Sequence, residues 1–282
     1  MILFKKAGEL SDFLTVQRQK GLKTGFVPTM GALHNGHISL INACKQQNDL
    51  TICSIFVNPT QFNDPNDFIH YPKTLENDIY LLEKEGCDIV FLPSIDEMYP
   101  SGAKTIHYEL GFLETILEGK FRPGHFQGVC QVVHRLLDIV RPGTLFLGQK
   151  DYQQCMVIKK LIELISAPTQ LIIYATQREA SGLAMSSRNM RLTEDERKNA
   201  LSIYEALSLI QKEIKPGDLQ KLKQTAAAYL TAKNFKVDYI EIADAITLTL
   251  VDNWNGTESL VILAAAFLNT VRLIDNVLIN AN

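Results

Sequence analysis

The chain lacks the features that mark several protein classes. No run of apolar residues reaches the roughly 18 needed to span a bilayer. The first residues, Met1-Ile2-Leu3-Phe4-Lys5-Lys6, do not have the layout of a secretory signal. Basic residues are not in excess: 28 Lys and Arg against 31 Asp and Glu leave a formal charge of −3. That balance gives no general attraction to nucleic acid or to anionic membranes, though a local basic patch is allowed. Cysteines are few and odd in number, at positions 44, 53, 87, 130 and 155, and no Cys-x-x-Cys occurs. Most sit in apolar periodic segments, so buried thiols in a reducing cytoplasm are expected. No internal repeat and no low-complexity tract is found. What remains is ordinary globular composition, 46% apolar and 21% charged over 282 residues, enough for one large domain or two modest ones.

Apolar strands alternate with helical patterns up to residue 176. Gly25–Val27, Leu50–Val57, Asp88–Leu92, Thr144–Leu147 and Leu171–Ala175 read as strands buried on both faces. His37–Gln47, Thr74–Glu85, Phe126–Val140 and Asp151–Ile165 have helical period. Strand and helix repeated this way predict a doubly wound parallel α/β sheet over residues 1–176. From 177 a polar loop runs to Arg191. Thr193-Glu194-Asp195-Glu196 then reads as a capping box opening a helix to about Ile214. A helix over about 218–234 and short strands at Val237–Ala243, Thr247–Val251, Leu260–Phe267 and Thr270–Ile274 complete a smaller α+β domain, 177–282.

Polar segments fall at or near the carboxyl ends of the strands, where such sheets bind ligands. The most informative runs Met30, Gly31, Ala32, Leu33, His34, Asn35, Gly36, His37, between a strand and a helix. A helix N-terminus has unpaired N–H groups and a partial positive charge. Glycines let the backbone approach a ligand. With two imidazoles added, the turn suits the phosphates of ATP. The spacing also allows two histidines sharing a metal, but no Glu lies between them and a helix N-terminus disfavours a cation. Plain surface histidines are the third reading.

Asn58 and Gln61 follow the second strand as neutral groups suited to hydroxyls and a carboxylate of a small substrate. Gly148, Gln149, Lys150 and Asp151 follow the fourth. Lys150 can neutralise phosphate, and Asp151 can cap the helix or help hold a magnesium–nucleotide complex. Gln154 lies one turn on. Met185, Ser186, Ser187 and Arg188, in a mobile loop, read as a phosphate clamp or a solvated linker. His125 reads as a site residue or as a capping or packing one. Tyr71 and Asp78 read more readily as surface or structural residues.

An early His-x-Gly-His turn and a Ser-Ser-Arg loop some 150 residues later resemble the "HIGH" turn and "KMSKS" loop of Rossmann-like nucleotidyl-transferring enzymes. Six segments together, 28–37, 55–62, Tyr71-Pro72, 125–129, 148–154 and 182–189, resemble the pantoate–β-alanine ligase family nearly end to end. The resemblance implies an ATP-dependent enzyme. Pantoate attacks ATP to form pantoyl adenylate and pyrophosphate, and β-alanine then releases AMP and pantothenate, on the route to coenzyme A. It implies that Met30–His37, Gly148–Asp151 and Met185–Arg188 hold ATP, with the Gln177 backbone meeting the adenine. It implies that Gln61 and Gln154 bind pantoate, Gln61 lying also near the β-alanine site, and that His37 is an acid catalyst beside His34 and Lys150. It further implies Mg2+ with ATP and a homodimer joined through the larger domain.

No proton obviously needs donating as a carboxylate displaces pyrophosphate, so the histidines can serve mainly as hydrogen-bond donors. This chain departs from the family pattern at Gln149, where Glu is familiar, at Ser181, where Asp is usual, and at Gln177, which replaces an aliphatic residue. The first two remove negative charge near the phosphates and open the possibility of a changed metal dependence. A nucleotidyltransferase that keeps the nucleotide on its product is the alternative reading. A non-catalytic nucleotide sensor is disfavoured because the paired histidines, Lys150 and Arg188 are all present. An aminoacyl-tRNA synthetase is disfavoured by the lack of a basic RNA-binding domain.

Overall fold

The computed structural model describes residues 1–102 and 106–280, so the last two residues of the expected second domain lie outside the description. The chain divides into two compact units, 1–148 with 157–175, and 149–156 with 176–282. Residues 149–156 therefore group with the second unit, which a single boundary at 176 did not anticipate.

The first unit is built on six parallel strands: β1 Ile2–Phe4, β2 Thr24–Thr29, β3 Leu50–Ile55, β4 Ile89–Phe91, β5 Thr144–Gly148 and β6 Gln170–Tyr174. Their order is β1-β4-β3-β2-β5-β6. Val27, Cys53, Val90 and Phe146 form one core with Leu40, Ile41 and Cys44 of the helix Asn35–Gln47 and with Leu82 of the helix Leu75–Lys84. Side chains alternate across a sheet, so their neighbours Phe26, Ile52, Ile89 and Leu145 face the other way. These are fully buried too. Both faces are covered, which explains the near-continuous apolar runs. The edge strand β1 was not expected: it is three residues long and half exposed.

From β2 the chain steps to β3 on one side and later returns to β5 on the other. The strand order therefore reverses at β2/β5, the place where open α/β sheets bind ligands beyond their carboxyl ends. The Met30–His37 turn leaves β2 at that end, and Gly148 closes β5.

In the second unit, β10 Leu260–Leu268 pairs antiparallel with both β8 Phe235–Asp244 and β11 Val271–Ile279. A two-residue pair, β7 Gly217–Asp218 and β9 Asn253–Trp254, lies apart. Helices Ser202–Glu213 and Gln220–Ala232 cover the larger sheet through Ala206, Leu207, Ile210, Ala226 and Leu230. The expected helix to Ile214 is interrupted at one residue, Leu201, which keeps helical angles. The expected strand Thr247–Val251 is reduced to an isolated antiparallel bridge: the turn covers residues 245–247, Leu250 bridges Ala243, and main-chain bonds run from Asp244 N to Thr249 O and from Val251 N to Ile242 O. Asp244 Oδ1 accepts from the N–H groups of Ile246 and Thr247 and from the Thr247 hydroxyl, and this local bonding holds the turn that precedes the bridge. Among the described residues no helix is long and apolar enough to cross a membrane.

Candidate functional site

After β2 the chain turns sharply. Gly31 has φ +81° and Ala32 φ +50°, a left-handed pair that is costly at Ala32. The strain is held by Asp78, whose side chain is 1% exposed. Its Oδ2 accepts from Ala32 N at 2.9 Å, and its Oδ1 from Leu33 N at 2.8 Å and the Thr74 hydroxyl at 3.0 Å. Asp78 thus fixes the entry to the helix that carries the histidines. Its signal in the sequence was an acid at helical spacing from Leu75 and Leu82, on an otherwise apolar face.

His34 is the N-cap of the helix Asn35–Gln47, and the two imidazoles form its capping box. His34 Nδ1 accepts from Gly36 N at 3.1 Å, and His37 Nδ1 accepts from His34 N at 3.3 Å. Their ring centroids are 4.1 Å apart. A nitrogen that accepts carries no proton, so this hydrogen-bond network assigns each neutral ring its proton at Nε2. Both rings then carry an Nε2–H donor directed by the main chain. The same bonding takes both Nδ1 atoms out of any metal-binding role.

Gln61 sits in the turn Pro59–Gln61, which follows β3. His125, 5% exposed, donates from Nδ1 to Gln61 O at 2.7 Å, and Arg122 Nη1 lies 3.1 Å from its Nε2. A Cβ on Gly128 would lie 2.3 Å from Thr60 O, so only glycine lets that helix approach the turn. Gln61 Nε2 lies 3.3 Å from Met30 Sδ, which brings Gln61 beside the histidine turn. Asn58 does not face outward as a substrate group. It is 1% exposed, its Nδ2 donates to Gln61 Oε1 and Gly128 O, and its Oδ1 accepts from Thr60 N and the Thr60 and Tyr99 hydroxyls. Tyr71 is buried edge-on against Phe62. A cavity of about 350 Å³ opens at the ends of β2, β3 and β4, between Met30, Phe56, Phe68, Asp78 and Ile95.

In the second unit, Gln149–Asp151 form a single 3₁₀ turn ahead of the helix Tyr152–Leu164. Asn276 of β11, 2% exposed, donates from Nδ2 to Gln149 O and to Lys150 O, both at 2.9 Å. Its Oδ1 accepts from Gln149 Nε2 at 3.0 Å. The side chains of Lys150, Asp151 and Gln154 are half-buried. Tyr152 donates to Ala245 O, and burial pushes its phenol up to about 12.

The segment from Gln177 to Asn189 is not open chain. Arg178 bridges Ala184, Met185 N donates to Gln177 O at 2.9 Å, and Glu179 N donates to Leu183 O at 2.8 Å, closing a hairpin. Arg178 forks onto Asp275 at 2.6 and 3.0 Å and stacks on Tyr204, 3.9 Å from the ring centre. Burial pushes the Asp275 carboxyl up, and the guanidinium pulls it back. Ser181 Oγ accepts from Leu183 N at 3.4 Å, a turn contact that an Asp there would also make. Ser186 caps the turn Ser187–Arg191 by accepting from Arg188 N. Ser187 and Asn189 are buried, Met185 and Arg188 half-buried. Arg178, Asp275 and Asn276 escaped the sequence reading, since their partners lie far away in the chain.

Among the described residues no group of three or more His, Cys, Asp or Glu side chains is placed to hold a metal ion. All five cysteines are buried thiols. Burial pushes Cys44 up to about 11 and Cys87 up to about 12, which leaves them unreactive.

A family profile described as Pantoate-beta-alanine ligase matches residues 2–278. The pantothenate synthetase of Azobacteroides pseudotrichonymphae is 43% identical over 279 residues, 98% of this chain and 99% of its own. That of Aquifex aeolicus is 43% identical and covers 98% of both chains. Among solved structures, pantothenate synthetase from Thermus thermophilus superposes with a TM-score of 0.89 at 36% identity, over 98% of this chain and 99% of its own. Pantoate-beta-alanine ligase from Francisella tularensis, complexed with beta-gamma ATP and beta-alanine, gives 0.82 at 41% identity, over 99% and 97%. The likeness runs through both units, the parallel sheet with its histidine turn and the α+β unit with its Lys150 turn. With identity above 40% and nearly full coverage on both sides, the chain belongs to the pantoate–β-alanine ligase family of enzymes.

Proposed function

We propose that this enzyme joins (R)-pantoate to β-alanine using ATP, giving pantothenate, AMP and pyrophosphate through a pantoyl adenylate, a step toward coenzyme A. A pantoate carboxylate oxygen attacks the α-phosphorus, and the bond to pyrophosphate breaks. The β-alanine nitrogen then attacks the pantoyl carbonyl. A C–N bond forms, the C–O bond to AMP breaks, and the amine gives up its proton. No protein nucleophile is needed, so catalysis consists of alignment and of stabilising charge as it shifts onto pyrophosphate.

One observation carries this reading. His34 and His37 each accept a main-chain N–H at Nδ1 and so offer Nε2–H, at the sheet end where the strand order reverses. Fixed neutral donors of that kind suit phosphate oxygens better than proton transfer, so we assign them to hydrogen bonding. Met30–His37, Gly148–Asp151 and Met185–Arg188 hold the nucleotide, with Lys150 neutralising phosphate and Gln177 meeting the base through its backbone. Gln61 and Gln154 bind pantoate.

With no protein cage for a cation among the described residues, Mg2+ fits as an ion carried by the nucleotide, with at most Asp151 nearby. When bound there it neutralises phosphate charge. The family resemblance supports a homodimer, measurable by sedimentation, and the buried thiols support a cytoplasmic setting.

The test is ATP–pyrophosphate exchange. Exchange should require pantoate and proceed without β-alanine, while AMP should accumulate only when β-alanine is added. Exchange that needs β-alanine would replace the adenylate by a concerted route. A product that keeps the nucleotide would make the enzyme a nucleotidyltransferase.

A further inference from the structure

Two adjacent polar residues, Asp275 and Asn276, are both buried in a strand whose other inward positions are Val271 and Leu273. Alternation along a strand exposes one of two neighbours on a half-covered sheet, so burying both takes a specific arrangement. Asp275 receives the Arg178 fork from the base of the 177–189 hairpin. Asn276 is engaged at every polar atom. Its main-chain N–H donates to Asp275 Oδ1 at 2.7 Å, and its carbonyl accepts from Arg178 Nη2 at 3.3 Å. Its amide nitrogen donates to the carbonyls of Gln149 and Lys150, and its amide oxygen accepts from Gln149.

Two neighbouring carbonyls are therefore gripped by one NH2 group. Both peptides are trans, and across a trans peptide the N–H points opposite to the C=O. Turning both carbonyls to β11 turns the N–H groups of Lys150 and Asp151 away from it and sets the direction in which the Lys150 side chain leaves the main chain. The return bond from Gln149 stops the Asn276 amide from flipping. A glutamate at position 149 could not donate that bond.

We infer that Asn276 is a positioning residue for Lys150: it touches no substrate and acts by fixing the two peptides on either side of the Lys150 Cα. This rests on the assignment of Lys150 to the phosphates. A displacement of about 1 Å can cost about 100-fold in rate, so Asn276→Ala should slow pantoate-dependent ATP–pyrophosphate exchange by up to about 100-fold, through kcat, with little change in KM for pantoate.

The test is a double-mutant cycle against Lys150→Ala. If Asn276 works through Lys150, its removal should cost less than about twofold once Lys150 is gone. An equal fold-loss in both backgrounds would overturn the inference. Should Asn276→Ala fail to fold, Asn276→Ser keeps one donor and serves in the same cycle with an intermediate loss. Amide hydrogen exchange at residues 149–151 without nucleotide reads the latch independently of catalysis. Faster exchange in the Ala or Ser variant supports it, and unchanged exchange overturns it. Absence of pantoate-dependent exchange in the wild-type enzyme would sink the functional reading instead, leaving the amide measurement to decide the latch.

Discussion

The turn after β2 is held from close by. His34 and His37 cap their own helix across two and three residues, and a distant partner, Asp78, lies 46 residues beyond Ala32 in the same unit. The turn after β5 is held from the far end of the chain, by an asparagine 126 residues beyond Lys150. The first turn uses its candidate chemical groups as its own scaffold: one ring nitrogen of each histidine builds the helix start and the other carries the ring proton. On the proposed reading the second separates the two tasks, giving support to Asn276 and chemistry to Lys150. Truncating a histidine should therefore cost structure and function together, whereas truncating Lys150 should cost function alone.

The largest effects should come from the donors themselves. Loss of one donor aimed at developing charge costs roughly 3–4 kcal/mol in the barrier. Lys150→Ala, His34→Ala and His37→Ala should each slow adenylate formation by about two orders of magnitude or more. Reaction of preformed pantoyl adenylate with β-alanine should suffer less. His34→Asn separates the two tasks, because Asn is a good N-cap but lacks the Nε2 donor. Thermal stability near wild type with adenylation still lost is the expected result. Equal damage to both half-reactions would mean that these residues hold the whole site together.

Next in size is Asp78→Ala. It leaves the Ala32 and Leu33 N–H groups buried without their acceptor, at about 1–3 kcal/mol each. The Gly31–Ala32 strain also loses its restraint. Denaturant unfolding should show a loss of roughly 2–6 kcal/mol, and ATP should restore part of it by binding the folded form. Asn276→Ala should cost less stability, since the main-chain groups it frees are the Gln149 and Lys150 carbonyls, which tolerate incomplete bonding better than N–H groups. Reversal of that order would break the contrast between the two turns.

The same contrast explains what could be read from the amino-acid order. The parallel sheet and the histidine turn were legible because their signals are local: apolar runs bounded by Asn58-Pro59 and Pro93, and a strand followed at once by Gly, His and a helical period. Thr193 and Glu196 announced a capping box that forms as expected. The strand expected over Thr247–Val251 forms only in part: Leu250 bridges Ala243, while Asp244 draws the Ile246 and Thr247 N–H groups into the turn before it. His125 and Asn58 resemble chemical groups in composition but are spent on seating Gln61. Arg178, Asp275 and Asn276 carried no local signal, since a buried strand gives no indication of which distant loop its polar residues will grip.

A smaller effect is expected at Arg188. Charge-assisted hydrogen bonds contribute about 1.5–3 kcal/mol, so Arg188→Ala should raise KM for ATP by at least about tenfold. Pantoate binding should stay near wild type. The hairpin it follows is closed by main-chain bonds and by Arg197 on Glu179, none of which uses the Arg188 side chain. Unchanged ATP kinetics would make the segment a structural connector only.

The smallest effect supplies the control for the histidine turn. Thr193 and Glu196 make the same kind of reciprocal cap as His34 and His37, on a helix for which no chemistry is assigned. Thr193→Ala should cost about 1 kcal/mol of stability and leave kcat untouched. The Glu196 carboxyl is held below the usual glutamate range, first by the Thr193 N–H and then by Asn269. A carboxylate with a lowered folded pKa contributes stability above its unfolded pKa and loses it as pH falls through the folded one. The penalty of Glu196→Ala should therefore be greatest near neutral pH and shrink on acidification to about pH 4 and below. His34→Asn and Glu196→Ala, compared in one thermal series and one kinetic series, isolate what the imidazoles add to a cap. Both should leave a folded enzyme, and only the histidine variant should lose adenylation.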